Sequence, residues 1–254
     1  MNDFSIFIRT IWYILKFSIR YQENTLAIIK SYIFYYNKKI RISMASIIKI
    51  EIDINNEKKY ILIKNLHRPE LYAPIGGVYK HRNANILEKI AWEEDTKHSD
   101  MDNDLRGFID GKYFSSFISW FYTQKDREGS EQCIYREFDE ELLEGKNGKV
   151  IRDESRKIQI DLVKNIVEGP NSIIGRDYEA QYRYFKIYKP NLKDDLTKKF
   201  IEKLKKRAND NSNKLILVTK NEIIHGRTKD NKVIAPHTKY FFFNKWHGTE
   251  LQKY

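Results

Sequence analysis

Two apolar runs precede any regular alternation along the chain. Across residues 4–19 the sequence is rich in Ile, Phe and Trp, and the polar positions Asn2, Ser5, Arg9, Tyr13, Lys16 and Arg20 recur three or four apart. That spacing predicts a helix with a thin polar stripe and a broad apolar face. A second apolar run, residues 25–36, carries Lys30. Neither run supplies the roughly 18 uncharged residues of a simple membrane span. Three readings stay open. The helices pack on the domain, lie in a membrane interface, or span the bilayer at the high cost of central Arg and Lys.

From Ile40 the period changes to two. Ile48, Ile50, Ile52 and Ile54 alternate with Lys49, Glu51 and Asp53, which predicts a strand running through this stretch. Asn55-Asn56 signals a turn, and residues 59–64 return as a second strand. Pro74-Ile75-Gly76-Gly77-Val78 follows, where paired glycines permit a sharp turn or a close approach of backbone to a neighbour. Residues 80–127 read as polar and partly helical, with an amphipathic aromatic helix at 114–122. Asp100, Asp102 and Asp104 begin like a calcium loop, but Leu105 stands where that loop needs Gly and Gly111 where it needs Glu, which excludes an EF-hand. A strong helix is expected at 132–144, strands at 158–163, 181–188 and 214–219, a lysine-rich surface helix at 196–207, and a last aromatic element at 240–246. This mixture predicts an α/β or α+β fold of packed layers. The organisation expected is an N-terminal helical segment at 1–39 and one domain at 40–254 with an insertion at about 80–127.

Net charge changes the list of partners more than the fold. The formal charge is +11, which favours nucleotides, nucleic acid or an anionic membrane surface as partners, although a basic surface that merely aids solubility is an equal reading. No interleaved aromatic and basic motif of a known nucleic-acid-binding class is present, so specific nucleic-acid binding is not expected. Cys133 is the only cysteine, so no internal disulfide can form, and a reducing compartment fits. No small-residue cleavage site follows the N-terminal apolar stretch, so the expected location is cytoplasmic, free or attached to the inner face of the membrane.

The candidate chemistry lies in residues 127–144. At 100° per residue, Glu137, Glu140, Glu141 and Glu144 share one helical face, and Ile134, Phe138 and Leu142 share a neighbouring apolar one. Carboxylates three and four apart repel one another. Between 136 and 144 only Arg136 offsets five acids, so a further cation is called for. Oxygen-only donors suit Mg²⁺ or Mn²⁺. A solvated acidic face is the bland alternative.

The spacing argues against that alternative. Glu128, then seven residues, then Arg136-Glu137-Phe138-Asp139-Glu140-Glu141 resembles the Nudix box. Two of its positions depart: Tyr122 and Leu143 stand where the box has glycine. Together with residues 41–52, 73–80, Asp104-Leu105-Arg106 and the aromatic helix, the segment resembles the Nudix domain associated with bacterial SMODS nucleotidyltransferases, over about residues 40–246. The resemblance implies a Nudix-like α/β/α sandwich with a mixed sheet. It also implies Mg²⁺- or Mn²⁺-dependent hydrolysis of a nucleoside-diphosphate-like substrate, in anti-phage (CBASS) signalling by cyclic oligonucleotides. Carried onto these positions, it makes Glu137 and Glu141 principal metal ligands and Glu140 a further ligand or base. The Gly77 carbonyl becomes an additional ligand, and Glu128 with Arg136 a structural ion pair. Glu179 and Glu222 are candidates for a distant further acid. Cys133 takes a position of buried packing. The alternative function is a sensor that binds a nucleotide without cleaving it and couples to a membrane, or self-associates, through residues 4–36.

Overall fold

A computed structural model describes residues 22–65, 68–82, 85–96, 103–142, 157–172, 178–209 and 214–244. The helix expected at 4–19, Asp100, Asp102, Leu143, Glu144 and Trp246 lie outside these residues. In chain order the elements are α1 (Thr25–Phe34), β1 (Lys39–Ile48), β2 (Glu51–Ile54), β3 (Glu57–Lys64), β4 (Leu71–Ala73), β5 (Gly76–Val78), α2 (Asn85–Lys89), β6 (Glu93–Glu94) and β7 (Arg106–Asp110). After these come α3 (Phe114–Thr123), α4 (Ser130–Leu142), β8 (Ile160–Asn171), β9 (Ala180–Pro190), α5 (Asp195–Asn209), β10 (Leu215–Thr219), α6 (Lys220–His225) and β11 (Val233–Ile234). A 3₁₀ turn, Pro236–Phe241, follows. The chain is of the mixed α/β class read from its sequence.

It divides into two compact units. The first holds residues up to Met44, Lys80–Glu128 and Val167–Tyr184; the second holds Ala45–Tyr79, Gly129–Ile166 and Phe185 onward. In the first unit, Lys39 to Ser43 of β1 pair antiparallel with Arg106 to Asp110 of β7. Ile40, Ile42, Met44 and Ile109 are buried, as are the α3 rings Phe114, Phe117 and Phe121, with Phe114 against Tyr182 and Phe121 against Tyr184. The Arg41 Nε–Asp95 Oδ2 ion pair, 2.7 Å long, is also buried there. Helix α1 buries Ala27, Ile28 and Ser31 but leaves Leu26, Ile33 and Phe34 exposed.

In the second unit, the sheet runs β10-β3-β4-β11 with β2 paired to β3. It is mixed, because β4 and β11 pair in parallel while β10–β3, β2–β3 and β3–β4 are antiparallel. Strand alternation divides its side chains between two cores. Ile61 and Ile63 of β3 join Ile134, Phe138 and Leu142 of α4 and Phe200, Ile201 and Leu204 of α5. Tyr60 and Leu62 join Ile223 of α6 and Tyr240 and Phe241 of the 3₁₀ turn on the opposite face. Helical layers therefore cover both faces of the sheet. The β2–β3 hairpin turns at Asn55 and Asn56, whose φ values of 52° and 63° match the two-residue type I′ loop that asparagine favours.

The alternation from Ile48 to Ile54 does not form one strand. The chain breaks at Lys49-Ile50 because its partners change there: Ile48 N–H donates to the Ile75 carbonyl, Lys49 N–H to Tyr188, and Ile50 accepts from Ile61. The strand expected at 158–163 extends to Asn171, and the helix expected at 132–144 begins at Ser130.

Candidate functional site

Helix α4 carries the acidic cluster, and its start is set locally. Gly129 O accepts from Cys133 N–H, and the Gln132 side chain reaches back to Gly129 N–H at 2.9 Å, half of a capping box. Ile134, Phe138 and Leu142, four apart, enter the core. That anchoring turns Cys133, Arg136, Glu137 and Glu141 onto strand β5, which pairs with β1 through Gly76↔Ile47, Gly77↔Ser46 and Val78↔Ala45.

The approach is close. A Cβ at Gly77 would lie 1.9 Å from Glu137 Oε1. Cys133 Sγ–H donates to the Gly77 carbonyl at 3.3 Å, and Arg136 Nη2 to the Val78 carbonyl at 2.8 Å. Glu141 Oε2 lies 3.4 Å from Gly76 N–H, a long hydrogen bond. Behind β5, Tyr79 OH meets Ser46 Oγ at 2.5 Å and Ser130 Oγ at 2.9 Å, which ties the strand to the start of the helix.

Charge is arranged around Arg136. Its Nη1 pairs with Glu137 Oε1 at 2.7 Å and with Glu140 Oε2 at 2.9 Å, all three side chains being partly buried. Glu141 is 6% exposed. Burial holds its carboxyl well above the usual carboxylate range; the Glu137 charge and, less strongly, that of Glu140 push it the same way, while Gly76 N–H and Lys214 oppose them. Lys214 carries no motif that singled it out in the sequence. It reaches the cluster because its carbonyl accepts Lys64 N–H at 2.7 Å, just before β10 joins β3.

The other candidate residues take different surroundings. Glu128 belongs to the first unit, where its Oε2 accepts Lys80 N–H at 3.0 Å and its own N–H donates to the Lys80 carbonyl. Glu222 is spent on the capping box of α6: its Oε2 accepts from Thr219 N–H at 2.8 Å. Glu179, also in the first unit, accepts Lys39 N–H at 3.2 Å. Cys133 is fully buried, as a packing residue would be.

A family model described as the SMODS-associated NUDIX domain matches residues 39–242, most of the chain and all of the site. The chain belongs to the SMODS-associated NUDIX family. A crystal structure of a mutT/nudix family protein from Listeria innocua is similar to this NUDIX domain at 16% identity, covering 78% of this chain and 88% of that one, with a TM-score of 0.30. No curated protein matches the sequence significantly.

Among the described residues of this NUDIX domain, no three Asp, Glu, His or Cys side chains already form a group able to hold a metal ion. Arg136 pairs with one oxygen each of Glu137 and Glu140. The donor chemistry nevertheless fits a hard divalent cation: three carboxylates beside backbone carbonyls, with one buried among like charges.

The glycines of β5 give a first test. At Gly77 the clash falls on the end of a flexible Glu137 side chain, so Gly77→Ala should cost about 1 kcal/mol and displace that carboxylate. At Gly76, φ is 139° and the Cβ would meet backbone, Ser46 O at 2.3 Å and Ile47 Cα at 2.7 Å. Gly76→Ala should therefore cost about 3 kcal/mol or more. Urea denaturation of both variants measures the difference; equal costs would contradict the close packing of β5 described above.

Proposed function

We propose that this domain hydrolyses the phosphoanhydride of a nucleoside-diphosphate-like substrate with a divalent cation, Mg²⁺ or Mn²⁺, within bacterial anti-phage signalling by cyclic oligonucleotides. The observation that carries the catalytic part is the buried Glu141, set between the charges of Glu137 and Glu140 at the glycine strand β5. Family membership supports the reaction class, and the signalling context rests on the resemblance to SMODS-associated domains.

Glu137, Glu140 and Glu141 would hold the cation, with the Gly77 carbonyl as a further donor. When bound, it would neutralise phosphate charge and acidify a water molecule. Arg136 keeps Glu137 and Glu140 paired and oriented beforehand, anchored by its bond to Val78. Lys214 offsets part of the charge on Glu141.

A screen of nucleoside diphosphate derivatives and cyclic oligonucleotides with Mg²⁺ or Mn²⁺, read by mass spectrometry, tests the reaction. Glu141→Gln should reduce turnover by about 100-fold or more. Its denaturation midpoint should stay level or rise, because a neutral isostere removes repulsion. Full turnover in that variant sinks the role assigned to Glu141.

A second reading, a nucleotide sensor coupled to a membrane surface or to a second copy, is favoured by α1. Leu26, Ile33 and Phe34 there are 73%, 66% and 61% exposed, beside Lys30 and Lys38. No helix among the described residues is long and apolar enough to cross a membrane, so contact would be interfacial. Flotation with anionic vesicles should carry the full chain upward and leave a Leu26→Ser/Ile33→Ser/Phe34→Ser variant behind. Equal flotation of the two proteins removes α1 from this role.

A further inference from the structure

On the sheet face opposite α4, two lysines approach the Phe242 ring, and a third bonds the chain just after it. Lys49 Nζ lies 5.2 Å from the centroids of both Tyr60 and Phe242, and Lys220 Nζ lies 5.3 Å from that of Phe242. Lys164 Nζ donates to the Phe243 carbonyl at 3.2 Å and to Asn244 Oδ1 at 3.0 Å, which leaves one of its three N–H donors to spare. Burial and the nearby charge of Lys49 hold the Lys164 ammonium below its usual pKa. Counter-charge is scarce. Glu51 pairs with Lys49 at 3.1 Å but also serves Lys58 at 2.7 Å. Lys164 and Lys220 make no ion pair with a carboxylate among the described residues. Phe243, next to this group, is 37% exposed.

Cations crowded this way need an anion, as the acids of α4 need a cation. Lysines bind phosphate as point charges, and an exposed ring offers a surface on which a base can stack. We propose that Lys49, Lys164, Lys220 and Phe243 form a second site that binds the phosphate and base of a nucleotide, separate from the acidic cluster. Tyr60 and Phe242 hold the Lys49 ammonium in place. The inference does not rest on hydrolysis at α4, because Tyr60 packs in the core on the other face of the sheet.

Calorimetric titration of the full chain with ADP, and separately with inorganic pyrophosphate, tests this in EDTA, where the acidic cluster has no divalent cation. ADP should bind, and more tightly than pyrophosphate. Lys220→Gln and Lys49→Gln should each weaken ADP on the order of tenfold. Lys220 is exposed, so its replacement leaves folding intact and keeps the test decisive even if Lys49→Gln is unstable. Phe243→Ala should weaken ADP and leave pyrophosphate unchanged. Glu141→Gln should leave ADP binding as it is. Absence of ADP binding, equal affinity in Lys220→Gln, pyrophosphate binding as tightly as ADP, or loss of binding in Glu141→Gln would each overturn the proposal.

Discussion

Helix α4 and strand β5 lie so close that a Cβ at position 77 would overlap the carboxylate of Glu137. The contact is fixed from two sides. Ile134, Phe138 and Leu142 hold the helix in the core, while Cys133 and Arg136 bond the carbonyls of Gly77 and Val78. Glu137 and Glu141 are thereby pressed against a backbone instead of standing in water. Burying a carboxylate near like charges is unfavourable unless a cation is close. Arg136 answers for Glu137 and Glu140, and Lys214 answers in part for Glu141, whose carboxyl burial still holds well above the usual range. The remaining imbalance is a property of the packing, and it is what makes the cluster suited to a divalent cation.

The same logic, with the sign reversed, applies across the sheet. Period-two alternation in β3 sends Ile61 and Ile63 to the α4 side and Tyr60 and Leu62 to the other. Lys49, beside Tyr60 and Phe242, belongs to that second side, where Lys220 also reaches Phe242 and Lys164 bonds the Phe243 carbonyl. One sheet thus separates a concentration of acids from a concentration of lysines in a chain whose net charge is +11.

Much of this was legible in the sequence where a local rule governs. Asn55-Asn56 announced the hairpin, and the four-residue spacing of Ile134, Phe138 and Leu142 announced the buried face of α4. The spacing from Glu128 to Glu141 announced the family. The break at Lys49-Ile50 was hidden, because Ile48 and Ile50 both remain in the same core and the alternation passes through it unbroken. Only a change of hydrogen-bond partners marks it. Thr219 and Glu222 stand three apart, the spacing of a capping box, a local signal that the reading of Glu222 as a distant acid passed over. Lys214 and the lysines around Phe242 had no such signal. Their roles arise from strand pairing and sheet packing between segments distant in the chain, which no window of sequence contains.

The most direct probe of the central claim is the proton balance of metal binding. Mn²⁺ can be titrated calorimetrically into the full chain and into Glu141→Gln, in weakly acidic buffers that differ in ionisation enthalpy. Burial and like charges raise the pKa of this carboxyl, so at weakly acidic pH a cation binding beside it displaces proton from it. Expected is Mn²⁺ binding with proton release in the native chain, and weaker binding without that release in Glu141→Gln. Identical binding and identical proton release in the two proteins, or no Mn²⁺ binding by the native chain, would contradict a cation site built on Glu141.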